Sequence, residues 1–225
     1  MKIGFDIDDT ITNNREFELS DYVEWCFLTN KKIEISREIF DRTEYDLKKR
    51  FHLSDEDAHN FNSYHFPRMV KNVPVMKNAK PLIITLNKFG FDTCIITRRD
   101  PNYNKSEYTG DVMVNDTKKW IEKNDIQISE IHFGCNDKLK SCQEFDVDLL
   151  FEDSPQNINN VSKEIPVIIP TYPYNIFSVN LNNNIGFTNV SDGYTSEVFD
   201  LLGNMLDLSN NETLNLKKYF NNLKE

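Results

Sequence analysis

The stretch Lys2–Thr12, K-I-G-F-D-I-D-D-T-I-T, constrains this chain more than any other. Ile3, Gly4 and Phe5 form a short apolar run that stops abruptly at Asp6, Asp8 and Asp9. A run of this kind reads as a buried strand feeding a loop at its carboxyl end. In open α/β sheets, ligands collect at that end. Three carboxylates within four residues repel one another, and a cation relieves the repulsion. Oxygen donors of this type suit Mg²⁺, which keeps several waters and shares its other positions with a phosphate. A solvated acidic turn would use the same residues, so later segments must decide between the two.

Three do so. Thr97 follows the apolar run Cys94-Ile95-Ile96, Lys138 lies in Asn136-Asp137-Lys138-Leu139-Lys140, and Glu152-Asp153 follows Leu149-Leu150-Phe151. With Asp6-Ile7-Asp8-Asp9-Thr10 at the front, the order resembles that of the haloacid dehalogenase superfamily of phosphohydrolases over residues 1–170. The resemblance implies a Rossmann-like parallel sheet flanked by helices. It also implies that Asp6 is the nucleophile and Asp8 the general acid and base. Thr97 and the backbone N–H groups of Ile7 and Asp8 would bind the phosphate oxygens, and Lys138 would pair with both Asp6 and the phosphate. Mg²⁺ would be held by Asp6, the Asp8 carbonyl and Asp153, with Glu152 acting through water. Glu152 departs from the commoner Asp-Asp pair, which leaves open which of the two touches the metal. Lys140 is the alternative to Lys138. Arg98 and Arg99 follow Thr97, where Arg98 can meet the phosphate or a second anion; a solvated pair is the other reading.

Between the first two strands, residues 13–74 read as helical. Leu19, Tyr22, Val23 and Cys26 fall on one helix face, and a second helix is expected over 36–50 with Ile39, Phe40 and Leu47 inward. Ser54-Asp55-Glu56-Asp57 should open a third carrying Ala58 and Phe61. In the resembled family an insertion here is a mobile cap; a plain packed subdomain is the alternative. The expected organisation is a core of 1–12 and 75–225 with a cap of 13–74.

Downstream, Ala79, Leu82, Ile83 and Leu86 have helical spacing and Gly90 suits a C-terminal cap. Strands are expected at 93–96, 131–133, 149–151 and 167–169. Asn115-Asp116-Thr117 should start a helix with Trp120 and Ile121 inside. Two tail helices are expected at 196–208 and 212–223. Strands alternating with helices require a parallel sheet with right-handed crossovers.

The formal net charge of −10 argues against nucleic acid polymers and anionic membranes as partners. No segment has the roughly 18 apolar residues of a membrane span, and a strand at the N-terminus leaves no room for a signal peptide. A cytoplasmic location is expected, and a homodimer is compatible with it. Cys26, Cys94, Cys135 and Cys142 have no metal-ligand spacing and read as buried thiols. Within the superfamily, Ile95–Arg98, Thr117–Ile121, Glu152–Pro155 and a short helical cap resemble the cytosolic 5′(3′)-deoxyribonucleotidases and their bacterial relatives named as nucleotidases. That implies a small phosphoester substrate, nucleoside monophosphates first and sugar phosphates second. Phe61, Tyr64, His65 and Phe66 suit stacking on a base or simple core packing. Tyr172-Pro173-Tyr174-Asn175 could line the pocket rim or form a turn.

Overall fold

A computed structural model of the chain describes residues 1–33, 42–104 and 108–224. Among these, six parallel strands form one sheet in the order β3-β2-β1-β4-β5-β6. They are β1 (Lys2–Phe5), β2 (Asp92–Ile96), β3 (Glu130–His132), β4 (Leu149–Phe151), β5 (Val167–Thr171) and β6 (Ile185–Asn189). The helices are α1 (Asn14–Leu28), α2 (Leu47–Arg50), α3 (Asp55–Asn72), α4 (Ala79–Lys88) and α5 (Gly110–Lys123). After these come α6 (Lys138–Glu144), α7 (Pro155–Val161), α8 (Pro173–Ile176), α9 (Val198–Met205) and α10 (Asn210–Leu223).

The central strands are apolar on both faces, as a parallel sheet covered by helices demands. Ile3, Phe5, Ile95, Leu149, Phe151 and Ile168 point to one face and pack with α4, α5, α9 and α10. Cys94, Ile96, Leu150, Val167 and Ile169 point to the other, against α6 and α7. Gly90, at φ +84°, takes the left-handed position just beyond α4, where a side chain is disfavoured. Strand order runs outward in both directions from β1, so the crevice at the carboxyl ends of β2, β1 and β4 is the topological switch point.

The insert begins at a neck. Thr12 and Val75 form an antiparallel bridge, with Asn13 N–H donating to the Pro74 carbonyl at 2.9 Å and Met76 N–H to Ile11 at 2.9 Å. Beyond it, Tyr22, Trp25, Cys26, Phe51 and Phe61 make a separate small core. The Ser54 hydroxyl caps α3, accepting from Asp57 N–H at 3.1 Å. α3 is shared: Phe61 belongs to the insert, while Met69 and Val70 join the main core.

Several elements differ from expectation. The buried face of α1 carries Tyr22 and Cys26 as expected, with Leu19 partly buried against the same small core and Val23 half-buried, and it adds Glu18, Asp21 and Trp25. Its polar members are paired, Glu18 with Arg50 and Asp21 with His65 at 2.8 Å. Ile39 and Phe40 lie outside the described residues; residues 43–46 are not helical, and Asp46 caps the short α2. α5 starts at Gly110, so Asn115-Asp116-Thr117 lies mid-helix. The early start rests on a close approach: a Cβ on Gly110 would lie 2.1 Å from the Pro101 carbonyl oxygen. Strand β6, at the sheet edge, is not among the strands the sequence pattern predicts. Both tail helices are present, with Leu216 and Phe220 of α10 in the main core. The four cysteines are free and buried.

Candidate active site

The apolar run of β1 ends where predicted, and one further backbone bond, Asp6 N–H to the Phe151 carbonyl at 2.9 Å, holds Asp6 at the sheet's rim. The loop then turns through Asp9, at φ +55°, a left-handed conformation that Asp tolerates better than most residues. Thr97 follows β2 directly and Glu152-Asp153 follows β4, on either side of Asp6. Lys138 opens α6, beyond β3. All four segments meet beside a cavity of about 630 Å³, lined from the core by Asp6, Asp8, Thr97, Arg98, Glu152 and Asp153 and from the insert by Asn14, Glu18, Tyr45, Arg50, Asn62 and Phe66.

A cation in the first turn of a helix opposes the helix dipole, so Lys138 needs another reason to be buried there. Its Nζ lies 2.5 Å from Asp6 Oδ1 and 3.4 Å from Glu152 Oε2, and it donates to the Ile96 carbonyl. Burial works against its charge, but Asp6 and Glu152 outweigh that and hold the ammonium above its ordinary pKa. Lys140 is exposed, and its backbone N–H serves the Asp137 cap.

Negative charge remains in excess. Carboxylate oxygens of Asp6, Glu152 and Asp153 lie within 4.8 Å of one another, all three buried, against the single ammonium. Burial pushes Asp6 up to about 6, opposed by Lys138 and reinforced by Glu152. Burial, then Glu152, Asp9 and Asp6, raise Asp153 well above the carboxylate range. Hard oxygen donors with uncompensated charge fit a small divalent cation such as Mg²⁺. The two β4 acids are held differently. Glu152 accepts from Ser154 N–H at 3.0 Å, from Asn157 Nδ2 at 3.1 Å and from Lys138. Asp153 Oδ2 accepts from the Tyr174 hydroxyl at 2.7 Å.

Asp8 turns the other way. Its Oδ1 lies 2.8 Å from Nη2 of Arg99, a buried residue whose Nη1 donates to Thr117 Oγ1 at 2.9 Å. Burial raises the Asp8 pKa and Arg99 opposes the rise. The Asp8 N–H donates to Asp6 Oδ2 at 3.1 Å, while the Ile7 carbonyl is engaged by the N–H groups of Thr10, Ile11 and Thr12. Thr97 Oγ1 accepts from Arg99 N–H at 3.3 Å. The neighbouring arginines thus divide: Arg98 is exposed on the cavity wall, and Arg99 is buried against Asp8.

Sequence pattern does not predict three of the pairings: Arg99 with Asp8, Tyr174 with Asp153, and Arg42, whose guanidinium pairs with both oxygens of Asp9. Of the aromatics Phe61, Tyr64, His65 and Phe66, Phe66 reaches the cavity, whereas Phe61 and His65 are packed inside the insert. Tyr172 and Tyr174 stand behind Asp153 rather than on the cavity wall.

The sheet order defines the fold. The chain has the haloacid dehalogenase-like hydrolase fold, superposing on a haloacid dehalogenase-like family hydrolase from Streptococcus pneumoniae with a TM-score of 0.59. That likeness covers 85% of this chain and 95% of the other at 11% identity. The β-phosphoglucomutase of Clostridium difficile matches with a TM-score of 0.53 over 92% of this chain and 98% of its own, at 13% identity. In sequence the chain is similar to the protein named "Putative nucleotidase YqfW" of Bacillus subtilis, 25% identical over 185 residues, 81% of this chain and 86% of the relative. No family model matches. Among the described residues no helix is long and apolar enough to cross a membrane.

Proposed function

We propose that the protein is a Mg²⁺-dependent phosphomonoester hydrolase that works through an aspartyl-phosphate on Asp6. The observation that carries this is the convergence of Asp6, Lys138, Thr97, Glu152 and Asp153 from four separated segments onto one rim, with an ammonium 2.5 Å from the attacking carboxylate. Asp6 attacks phosphorus in line, and the bond from phosphorus to the leaving oxygen breaks as Asp8 protonates that oxygen. Water then attacks the phosphoenzyme, Asp8 takes its proton, and the phosphorus–Asp6 bond breaks to release phosphate. Lys138, the Thr97 hydroxyl and the loop N–H groups hold the non-bridging oxygens, Lys138 also keeping Asp6 ionised. When bound, Mg²⁺ neutralises charge on the phosphoryl group. Asp153 would be its direct ligand beside Asp6, since Glu152 already spends both oxygens on Ser154, Asn157 and Lys138.

The preferred substrates are nucleoside monophosphates. The relative named a nucleotidase supports this, as do Tyr45, Phe66 and Tyr103 on the cavity wall, where a stacked base gains roughly 1–3 kcal/mol. A sugar phosphate is the second reading, favoured by the phosphoglucomutase among the fold neighbours. The test compares kcat/KM for deoxynucleoside monophosphates with that for hexose and triose phosphates in Mg²⁺. A tenfold advantage of the sugar phosphates refutes the nucleotidase reading; no turnover of any phosphomonoester refutes both.

A further inference from the structure

Two buried groups have no part in the phosphoryl chemistry just described. After β5, Pro173 starts α8 and Asn175 accepts from Tyr172 N–H at 3.0 Å. The Asn175 amide also donates to the Asp153 carbonyl at 3.1 Å and to the Pro170 carbonyl at 2.9 Å, lashing the loop after β5 to the loop after β4. The lashing delivers the Tyr174 hydroxyl to Asp153 Oδ2 at 2.7 Å, with the tyrosine 2% exposed. A donor on one carboxylate oxygen fixes the rotamer and points the other oxygen's lone pairs away, the arrangement by which outer partners orient metal ligands.

The ring is itself held. Tyr172 and Tyr174 stack with centroids 5.3 Å apart, and the Arg42 guanidinium lies 5.1 Å from the first ring and 5.4 Å from the second. Arg42 belongs to the insert, is 3% exposed and is anchored by Asp9. A planar guanidinium suits such double stacking where an ammonium does not.

We propose that Tyr174 is a positioning residue for a divalent cation on Asp153, and that Arg42 locks it, so that the seated insert raises the core's affinity for the cation. This rests on the magnesium reading given above. The test is Mg²⁺ titration of the substrate-free protein by calorimetry, a readout independent of turnover. Tyr174→Phe keeps the ring and should weaken Mg²⁺ binding about 10–100-fold with the metal-free melting temperature little changed. Arg42→Lys, which retains the charge opposite Asp9, should weaken it in the same direction by a smaller factor. It decides the question on its own should Tyr174→Phe melt at the assay temperature. Wild-type affinity in Tyr174→Phe overturns the proposal and leaves the magnesium reading standing. Failure of the wild type itself to bind Mg²⁺ overturns both.

Discussion

Replacing Lys138 by Met removes the one cation among three buried carboxylates while nearly preserving volume. The ammonium is 2.5 Å from Asp6 and 3.4 Å from Glu152, with no exposed side-chain surface. Removing one partner of a buried pair costs about 3–5 kcal/mol, because the remaining charge is left uncompensated. For a chain of this size each kcal/mol shifts Tm by about 2–4 °C, so the loss at pH 7.5 should be about 6–20 °C. The loss should shrink at pH 5. Burial already pushes Asp6 up to about 6 in the wild type, so at pH 5 it is largely protonated in both proteins and Lys138 has only Glu152 to serve. The assay is thermal melting by circular dichroism in chelator at both pH values, with Mg²⁺-dependent hydrolysis of an aryl phosphate measured alongside. A shift below 2 °C at pH 7.5, or an equal shift at both pH values, would show that the Lys138–Asp6 pairing is not what the cluster depends on.

Four further outcomes are expected. Asp6→Asn should abolish hydrolysis with the fold retained, since a neutral amide cannot attack phosphorus; more than a trace of activity in a clean preparation removes Asp6 as nucleophile. In chelator, wild-type stability should fall as pH rises from about 4 to 6, because folded pKa values raised at Asp6, Asp8 and Asp153 mean that the native state holds more protons in that window; Mg²⁺ should then raise Tm more at pH 7.5 than at pH 4.5, and a melting profile of opposite slope contradicts this. Arg99→Met should lower kcat by roughly 10²-fold or more for alkyl phosphates with little change in KM, since Asp8 loses its partner at 2.8 Å; equal losses in kcat and affinity would assign Arg99 to substrate binding instead. Phe61→Ala should destabilise by about 3–5 kcal/mol in urea titration, as Phe61 is fully buried against Tyr22, Trp25 and Phe51; a loss under 1 kcal/mol would mean that the insert is not packed around it.

What was legible in the sequence is what short-range pattern encodes. The runs before Asp6, Thr97 and Glu152 are apolar because those strands are covered on both faces, and such runs read directly as strands. Strand β6 is an edge strand opening on Ile185-Gly186 after an Asn run, and half-exposed edges carry a weak apolar signal. The buried face of α1 is wider than its apolar pattern, because such a pattern treats Glu18 and Asp21 as outward, whereas each has a buried partner from α2 or α3. Asn115-Asp116 imitates a helix start, while the real start depends on Gly110 fitting against Pro101. Arg42, Arg99 and Tyr174 act across 33, 91 and 21 residues of chain, distances at which periodicity says nothing.

The sharing of α3 between two cores bears on how this molecule can be re-engineered. The neck at Thr12 and Val75 invites excision of everything between them as a cassette, and the two ends are close enough for a short linker. Yet Met69, Val70 and Val73 fill the main core, and Trp120 Nε1 donates to the Val73 carbonyl at 2.8 Å. A graft cut at the neck would open a hole under the sheet. The exchangeable unit ends inside α3, near Pro67, where the missing N–H already interrupts the helix ladder. A chimera joined there keeps the last turns of α3 as part of the host and exchanges the wall of the cavity together with the Arg42 contacts to Asp9 and Tyr174.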